Sequence, residues 1–472
     1  MKTFFLPFFL SAAAAGAALP TVGPDYVRPA VASPAVYRDG SAVPEWKLAV
    51  PADQRGRGEW WQIFHDPELN RLERSALAAN QDLQAAAARV EQANAAARVT
   101  RSAELPQAAI SADALRQRQS TATANPFPVA VFNDYSLPVV ASWELDLFGR
   151  VRRLNEGARA DAEAAQALFE SVRLALTAQV AETYFGLAGL GRETDVVTQT
   201  IGLRQRELKL IAARRALGSA TELDTARAET ELATVQVEAE DLAVRRSALQ
   251  DALSILTGVP APAFVVAPST ELAAPPAIPS GLPSDLLERR PDVAAAERTL
   301  AAANARIGVA KAAFFPTISL TGAAGTEGAT TASLFGTDAR VWSFGPTLYL
   351  PIFQGGRNKA NLERSKAVYT ENVALYRQQV LQAVAEVQAA LTATQHLSTE
   401  TEAQERALTA AQRSAVLAQK RYDAGYVSYL EVIDAQRTAL ATERASVQLS
   451  ALRLTNAVSL IKALGGAWVT GG

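Results

Sequence analysis

Few side chains in this 472-residue chain could carry out covalent chemistry. It has no Cys, which excludes a thiol nucleophile, a thiolate metal site and a disulfide. Its two histidines, His65 and His396, stand about 330 residues apart in surroundings that read as polar and helical. A solvated histidine fits those surroundings better than a ligand or a general base. No nucleophile, base and orienting group fall at converging spacings, so no enzyme, metal or cofactor site is expected. What remains is a short acidic constellation. Leu430, Glu431 and Asp434 follow Gly425, and their spacing places them on one side of a helix. On the residues alone this is either an ordinary solvated turn or a functional acidic patch.

The elements that must position this patch come in duplicate. Asp82-Leu83, Asn94 and Pro106 return about 210 residues later as Asp292-Val293, Asn304 and Pro316. Ala181-Glu182 returns as Ala385-Glu386, and Leu217-Gly218 through Asp224 returns as Ala424-Gly425 through Glu431. Each copy therefore encodes one structural unit. Each reads as a helix (Pro67 to Ala103; Ser284 to Ala313) and two extended segments (Ala108 to Arg118 with Asn133 to Leu147; Thr317 to Thr326 with Arg340 to Phe353). A very long helix follows (Arg152 to Leu217; Gly356 to Asp423), then a break at Gly218 or Gly425 and a final helix ending at Leu256 or Leu464, capped by Gly258 or Gly465. Pro138 and Pro346 count against their strands. Six segments result: 1–18, an export signal with Lys2 before an apolar run; 19–58, extended and Pro-rich; 59–258, the first repeat; 259–283, a Pro-rich linker; 284–466, the second repeat; and 467–472, a tail.

Composition and length narrow the class. Lys and Arg number 46 against 48 Asp and Glu, a balance without the basic excess that nucleic acid requires. After the signal, no apolar run reaches the roughly 18 residues of a membrane helix, so membrane contact must be made by strands. Four strands cannot close a barrel, since the smallest membrane barrels have eight, and open strand edges are not tolerated in lipid. Several chains must share one barrel. Two chains would give eight strands and a filled interior, whereas three would give twelve and room for a lumen. Helices of about 100 Å far exceed a bilayer of about 30 Å and must project away from it.

Ordered motifs then carry a family resemblance. They are Gly23-Pro24-Asp25-Tyr26-Val27-Arg28-Pro29; Trp60-Trp61 with Phe64-His65-Asp66-Pro67; Trp143-Glu144-Leu145-Asp146-Leu147-Phe148-Gly149-Arg150; Leu287-Glu288-Arg289-Arg290-Pro291-Asp292-Val293; Phe314-Phe315-Pro316; Pro351-Ile352-Phe353-Gln354-Gly355-Gly356-Arg357; and Tyr422-Asp423-Ala424-Gly425. Together, and in this order, they resemble the TolC-like outer-membrane efflux proteins, in the NodT branch that serves resistance–nodulation–division pumps. The resemblance implies a mainly α fold with a β-barrel portion: a homotrimeric 12-strand outer-membrane barrel joined to a long periplasmic α-helical barrel, with an equatorial belt. It implies the exit duct of a tripartite pump in a Gram-negative outer membrane, partnered by lipid, a periplasmic membrane-fusion adaptor and an inner-membrane transporter. A channel for protein or metal-ion export is the alternative within the family. A soluble coiled-coil adaptor would explain the helices but not the paired strands.

By the same resemblance, Leu430 matches an apolar constriction and Asp434 an acidic one at a closed helical end, with Glu431 and Asp224 at further acidic positions. Repeated around an axis, these would form rings of carboxylates beside a ring that dewets. Tyr422 matches a locking Tyr, but Val427 stands where the family has an Arg, so that tie is expected to be incomplete. Many members of the branch carry a lipidated Cys before the Gly-Pro-Asp-Tyr signature; here Ala17 to Val22 precedes it, and acylation there is not expected. Phe132, Tyr135 and Trp143 in one hairpin, and Trp342, Phe344 and Tyr349 in the other, are candidates for the aromatic girdles of a barrel.

Overall fold

The computed structural model describes residues 21–30, 58–118, 120, 131–266, 272–276 and 290–466. The expected export signal, most of the Pro-rich stretch before residue 58, the tip of the first inter-strand loop, parts of the linker with Leu287 to Arg289, and the tail lie outside the described residues. Within them are helices α1 (Pro67–Ala79), α2 (Gln81–Arg101), α3 (Arg150–Ala216), α4 (Glu222–Leu256), α5 (Pro291–Ala312), α6 (Arg357–Asp423) and α7 (Tyr429–Ala463). The strands are β1 (Gln107–Ile110), β2 (Asp113–Arg118), β3 (Val131–Leu145), β4 (Thr317–Gly328) and β5 (Arg340–Tyr349).

The duplication holds to the residue in the length of the two longest helices of each repeat. Both α3 and α6 have 67 residues, and both α4 and α7 have 35. All four end in the same way, with a glycine at positive φ: Gly218 (74°), Gly258 (69°), Gly425 (80°) and Gly465 (85°). In each case the glycine N–H and the one after it turn back onto the last-turn carbonyls, as Gly218 does to Arg215 and Ser219 to Arg214, or Gly425 to Tyr422 and Tyr426 to Arg421. A side chain bearing a Cβ is strained at that φ, so glycine sets the end of each helix.

The expected single helix from Pro67 to Ala103 is two helices. Asn80 breaks it, with φ −66° and ψ 127°. Its buried side chain accepts from Leu83 N–H (2.9 Å) and donates to the Leu256 carbonyl (3.1 Å). Asn competes for backbone groups in this way and caps a helix better than it continues one. The equivalent position in the second repeat, Arg290, makes the equivalent bond: its Nη1 donates to the Ala463 carbonyl at 3.2 Å. Arg290 is 6% exposed and also pairs with Asp292 and Glu386, each at 2.6 Å. Each repeat is thus closed by a polar latch from the residue before its short helix to the last turn of its final helix.

The chain divides into two compact units. One comprises Met1–Pro29, Glu91–Glu163 and Glu297–Leu375 and contains the sheet. The sheet is antiparallel, with β1 and β2 both pairing with β3, β3 with β4, and β4 with β5. The first expected strand is interrupted at Ser111–Ala112, opposite Leu137–Pro138, where Pro138 has no N–H to donate. Pro138 is nevertheless inside β3 and Pro346 inside β5, so neither excludes its strand. Gly325 lies opposite Pro138, and a Cβ there would collide with the Leu137 carbonyl and Pro138 Cα. The last expected strand stops at Tyr349 and does not reach Phe353.

In the same unit, the Gly-Pro-Asp-Tyr segment runs along α5 and the start of α3. A Cβ on Gly23 would come within 2.5 Å of Gly308 Cα. Asn304 Nδ2 donates to the Pro24 carbonyl (2.9 Å), Arg153 pairs with Asp25 (2.7 Å), and Arg28 pairs with Glu297 (2.5 Å). The signature is a strap fitted to two helices from different repeats.

The other unit comprises Ala30–Val90, Ala164–Ala296 and Tyr376–Gly472. Its main core gathers Trp61, Leu69, Leu72, Tyr184, Leu253 and Ile461, among others. Asp66 caps α1 by accepting from Glu68 and Leu69 N–H and is held in turn by the Tyr184 hydroxyl at 2.7 Å. His65 is not helical as expected: at φ 54° it closes the short turn Trp60–Phe64 and is exposed. Glu73 is fully buried, and neither of its oxygens has a hydrogen-bond partner among the described residues. Burial raises its pKa from 4.5 to about 9, so it is protonated at neutral pH. A carboxyl raised on folding contributes stability that is fully present below 4.5 and is lost as pH rises towards 9. Glu73→Gln removes that dependence. The melting temperature of the variant should therefore gain on the parent steadily from pH 5 to pH 9 in detergent; parallel profiles would show that Glu73 does not titrate in this window.

Candidate functional site

The acidic patch belongs to one of two equivalent helical turns. In the first, between α3 and α4, Thr221 caps α4 through a complete capping box. Thr221 Oγ1 accepts from Asp224 N–H (3.2 Å), and Asp224 Oδ2 accepts from Thr221 N–H (3.0 Å) and Oγ1 (2.7 Å). These bonds hold the Asp224 carboxyl below its usual range. Asp224 is therefore committed to its own helix. In the second turn, between α6 and α7, Ser428 occupies the cap position with no side-chain hydrogen bond. Its Glu431, at the place of Asp224, is exposed, and so is Asp434. Neither carboxylate accepts a hydrogen bond among the described residues, and both line a groove between α6 and α7 with Glu405, Arg406 and Arg413. Leu430 is 50% exposed beside them.

The second turn is tied by a residue that sequence reasoning missed. Arg214, in the last turn of α3, lies over the Tyr422 ring at 4.9 Å from its centroid and 3.7 Å from the Asp423 carboxylate. Tyr422 in turn packs on Tyr429, with ring centroids 5.5 Å apart. An Arg therefore meets Tyr422 although Val427 occupies the expected position, and it does so through the ring face. Arg214 is about 200 residues from Tyr422 in sequence, and no local pattern points to it.

Beyond the turns, two polar layers cross-link α3, α4 and α7. In the first, Arg204, only 2% exposed, donates to Glu207 (3.0 Å) and to Gln436, while Arg437 donates to Glu231 (Nε, 3.0 Å). In the second, Arg444 donates to Glu193 and Glu238, each at 2.8 Å. Glu231 and Glu238 are seven residues apart, as are Arg437 and Arg444, so α4 and α7 run parallel with a heptad register. Arg204, Glu231 and Glu193 are the buried members, whereas Arg437 is more than half exposed, so the cost of about 3–5 kcal/mol for unpairing a buried charge applies to Arg204–Glu207 and Arg444–Glu193.

In the unit with the sheet, the ladder sorts side chains onto two faces. Residues paired across strands share a face, and alternate residues change face. One face presents Ile110, Val139 and Trp342; then Ala141 and Phe344; then Trp143, Leu320 and Pro346; then Leu145, Ile318 and Leu348. The other presents Gln107, Ser142, Thr321 and Gly345, then Glu144, Ser319 and Thr347. The first is mainly apolar and the second mainly small and polar, though Leu115, Val140 and Val341 also fall on the second. Of the six aromatic candidates, Tyr135, Trp143, Trp342 and Phe344 fall on the apolar face, and Phe132 and Tyr349 on the opposite one. Trp342 and Phe344 are 81% and 69% exposed, whereas Trp143 is half-buried and donates its Nε1–H to the Glu104 carbonyl (2.9 Å). The parity was there to be counted: Tyr135 and Trp143 are an even number of residues apart, Phe132 and Trp143 an odd number.

Residues 72–259 and 282–466 match the family of outer membrane efflux proteins, one segment for each repeat. The chain belongs to that family. It is 36% identical over 474 residues to the toluene efflux pump outer membrane protein TtgF of Pseudomonas putida, covering 99% of this chain and 98% of that protein. It is 35% identical over 454 residues to the outer membrane protein OprJ of Pseudomonas aeruginosa, covering 96% and 94%. Among solved structures, the outer-membrane channel OprN superposes with a TM-score of 0.84 at 31% identity, covering 95% and 99%. The open state of the Neisseria gonorrhoeae MtrE channel superposes at 0.80 with 30% identity, covering 94% and 98%. This outer membrane efflux protein accordingly has the TolC-like fold, an α-barrel portion with a β domain, and acts in efflux at a Gram-negative outer membrane.

The contrast between the two turns of this efflux protein can be measured. Thr221→Ala removes a complete capping box and should cost the start of α4 about 1 kcal/mol, lowering amide-exchange protection of its first turn about fivefold. Ser428→Ala should leave the first turn of α7 nearly unchanged. Equal losses at the two turns would contradict the asymmetry.

Proposed function

We propose that the chain is the homotrimeric exit duct of a tripartite pump, conducting small organic molecules passively from periplasm to exterior. The observation that carries this reading is the sheet: one mainly apolar face, one mainly small and polar face, and two edges, β1/β2 and β5, unpaired among the described residues. An apolar face suits lipid and a small polar face suits a water-filled lumen. Open edges are not tolerated in hydrocarbon, so β5 of one copy pairs with β1/β2 of the next. Four strand positions per chain give twelve in three copies, wide enough for a lumen that eight strands would fill with side chains. Tyr135, Trp342 and Phe344 meet the lipid, while Trp143 anchors the end of the sheet near Glu104. The mass of the native detergent-extracted complex should be three times that of the mature chain, and a conducting monomer or dimer would overturn the reading.

Efflux relatives are outer-membrane components of pumps, and a passive duct needs energy from elsewhere. A periplasmic adaptor and an inner-membrane resistance–nodulation–division transporter supply it. The turns α3–α4 and α6–α7 form the periplasmic constriction. There Leu430 supplies an apolar ring, and Glu431 and Asp434 supply anionic ones that favour cations. Asp224 contributes to helix capping instead, and Arg214 with Tyr422 and Asp423 holds the turns together. Leu430→Ala combined with Asp434→Ala should raise single-channel conductance in planar bilayers by roughly two- to fivefold. Unchanged conductance would place the constriction elsewhere.

A further inference from the structure

Where the sheet ends and the helices begin, the first repeat carries a polar hollow that plays no part in the constriction. Glu104, Arg152, Asn155, Glu156, Arg159 and Glu163 line an open space of about 400 Å³ there. All but Glu104 recur at helical spacing on one face near the start of α3. Trp143 fixes where this hollow lies. It stands on the mainly apolar face of the sheet, and its Nε1–H donates to the Glu104 carbonyl at 2.9 Å. The Glu104 carboxylate in turn accepts from Asn155 Nδ2 at 2.6 Å. The hollow therefore adjoins the last apolar rows, Trp143 with Leu320 and Leu145 with Ile318 and Leu348. Its charges are mixed. Arg152 is held by Asp146 (3.2 Å), Glu156 by Arg153 (2.7 Å) and Glu163 by Arg298 (3.3 Å). Arg159 is exposed and has no partner among the described residues. Asn155 Oδ1 is a buried acceptor that likewise has no hydrogen bond among them.

We propose that this hollow seats the headgroup of a phosphoethanolamine lipid at the periplasmic edge of the bilayer, with the acyl chains on the apolar face. The phosphate takes Arg159, with Arg152 beside it. The ammonium faces Glu156 and Glu163, each engaged through one oxygen among the described residues. Basic pockets at a membrane edge bind lipid phosphates, and Trp is enriched at that depth. The acids decide the class. A headgroup that is only anionic would meet three carboxylates around one free guanidinium, and a quaternary ammonium has no N–H to give them. A primary ammonium satisfies the carboxylates and brings the donor that Asn155 Oδ1 lacks. Duplication supplies a control. On α6, Lys359 and Lys366 hold the places of Arg152 and Arg159, but Leu362 stands for Asn155, Thr370 for Glu163 and Phe314 for Glu104. That face is basic without the acceptors, so the site occurs once per chain. The proposal rests on the reading that the apolar face meets lipid.

Native mass spectrometry of the full assembled protein in detergent, titrated with lipids of matched acyl chains, tests this. Phosphatidylethanolamine should be retained at least about threefold over phosphatidylglycerol and phosphatidylcholine. Glycerophosphoethanolamine, the same headgroup without chains, should not compete at equal concentration; equal competition would make the site one for a soluble zwitterion and overturn the lipid. Arg159→Gln should abolish the preference, and Glu163→Gln should shift retention towards phosphatidylglycerol. Lys359→Gln with Lys366→Gln should leave the preference unchanged. All four side chains are exposed, and an unchanged melting temperature shows that each variant folds. Unselective retention in the parent, a preference that survives Arg159→Gln, or one lost with the α6 lysines would each overturn the proposal. If the protein is a conducting trimer without lipid preference, the hollow fails and the duct stands. Selective retention by a complex that is not trimeric would leave the hollow standing and overturn the duct.

Discussion

A β-sheet four strand positions wide has two edges, and in hydrocarbon an edge cannot be left open. Each unpaired N–H or C=O there costs several kcal/mol, and no water is present to take its place. The other features of the chain make sense as consequences of that constraint. On the proposed reading the sheet continues into other copies, and its faces differ because one meets lipid and the other the lumen. Its strands must connect to helices that continue outside the bilayer, and 67 residues of α3 or α6 run for about 100 Å, three times the hydrocarbon thickness. The apolar row of Trp342 and Phe344 and the polar row of Ser142 and Thr321 are one sequence pattern read at period two.

Duplication supplies the elements, and a few polar contacts fit them together. Asn80 on the Leu256 carbonyl and Arg290 on that of Ala463 are the same contact made with different chemistry. Asn satisfies it as a neutral cap. Arg brings a buried charge and therefore needs Asp292 and Glu386 around it, since a guanidinium with no anion would be too costly to bury. The strap shows the same economy of space: a Cβ on Gly23 would meet the Gly308 Cα, and one on Gly308 would meet the Val22 carbonyl and the Arg153 side chain. That contact explains in physical terms why the segment begins with glycine.

Elements with strong local signals were legible. The ends of the long helices could be placed within about two residues because glycine at C′ is both a sequence mark and a conformational necessity. The break at Asn80 was not, since Asn tolerates a helix interior and its decisive partner, Leu256, is 176 residues away. Pro138 suggested a weak strand, yet the ladder accommodates it with a break at Ser111–Ala112, where Ser111 N–H still donates to the Pro138 carbonyl at 3.1 Å. At the turns, the acidic residues were legible and their roles were not. Asp224 and Glu431 occupy equivalent positions, and only the hydroxyl of Thr221 closing on Asp224 separates a capping carboxylate from a free one. Arg214 over Tyr422 is a tertiary contact between repeats, and local pattern cannot reveal it.

A duplicated scaffold can specialise only where its copies differ, and the two turns are one such place. The helices match in length and in the way they end. Near the turns, one copy has a closed capping box, an exposed Glu222 and a basic Arg227 along the helix. The other has an open cap, a buried Tyr429 and the acidic Asp434. Each change removes local satisfaction from the second turn or adds charge to it, whereas the first keeps its closed capping box. Local stability sets which segment moves first, because elements with fewer satisfied groups open at lower free energy. The polar layers at Arg204–Glu231–Arg437 and Glu193–Arg444–Glu238 limit how far such motion can travel along α7, since their charges cannot be separated without a buried ion losing its partner. The less satisfied groups of the second turn thus lie between Gly425 and Gln436, beside Glu431 and Asp434.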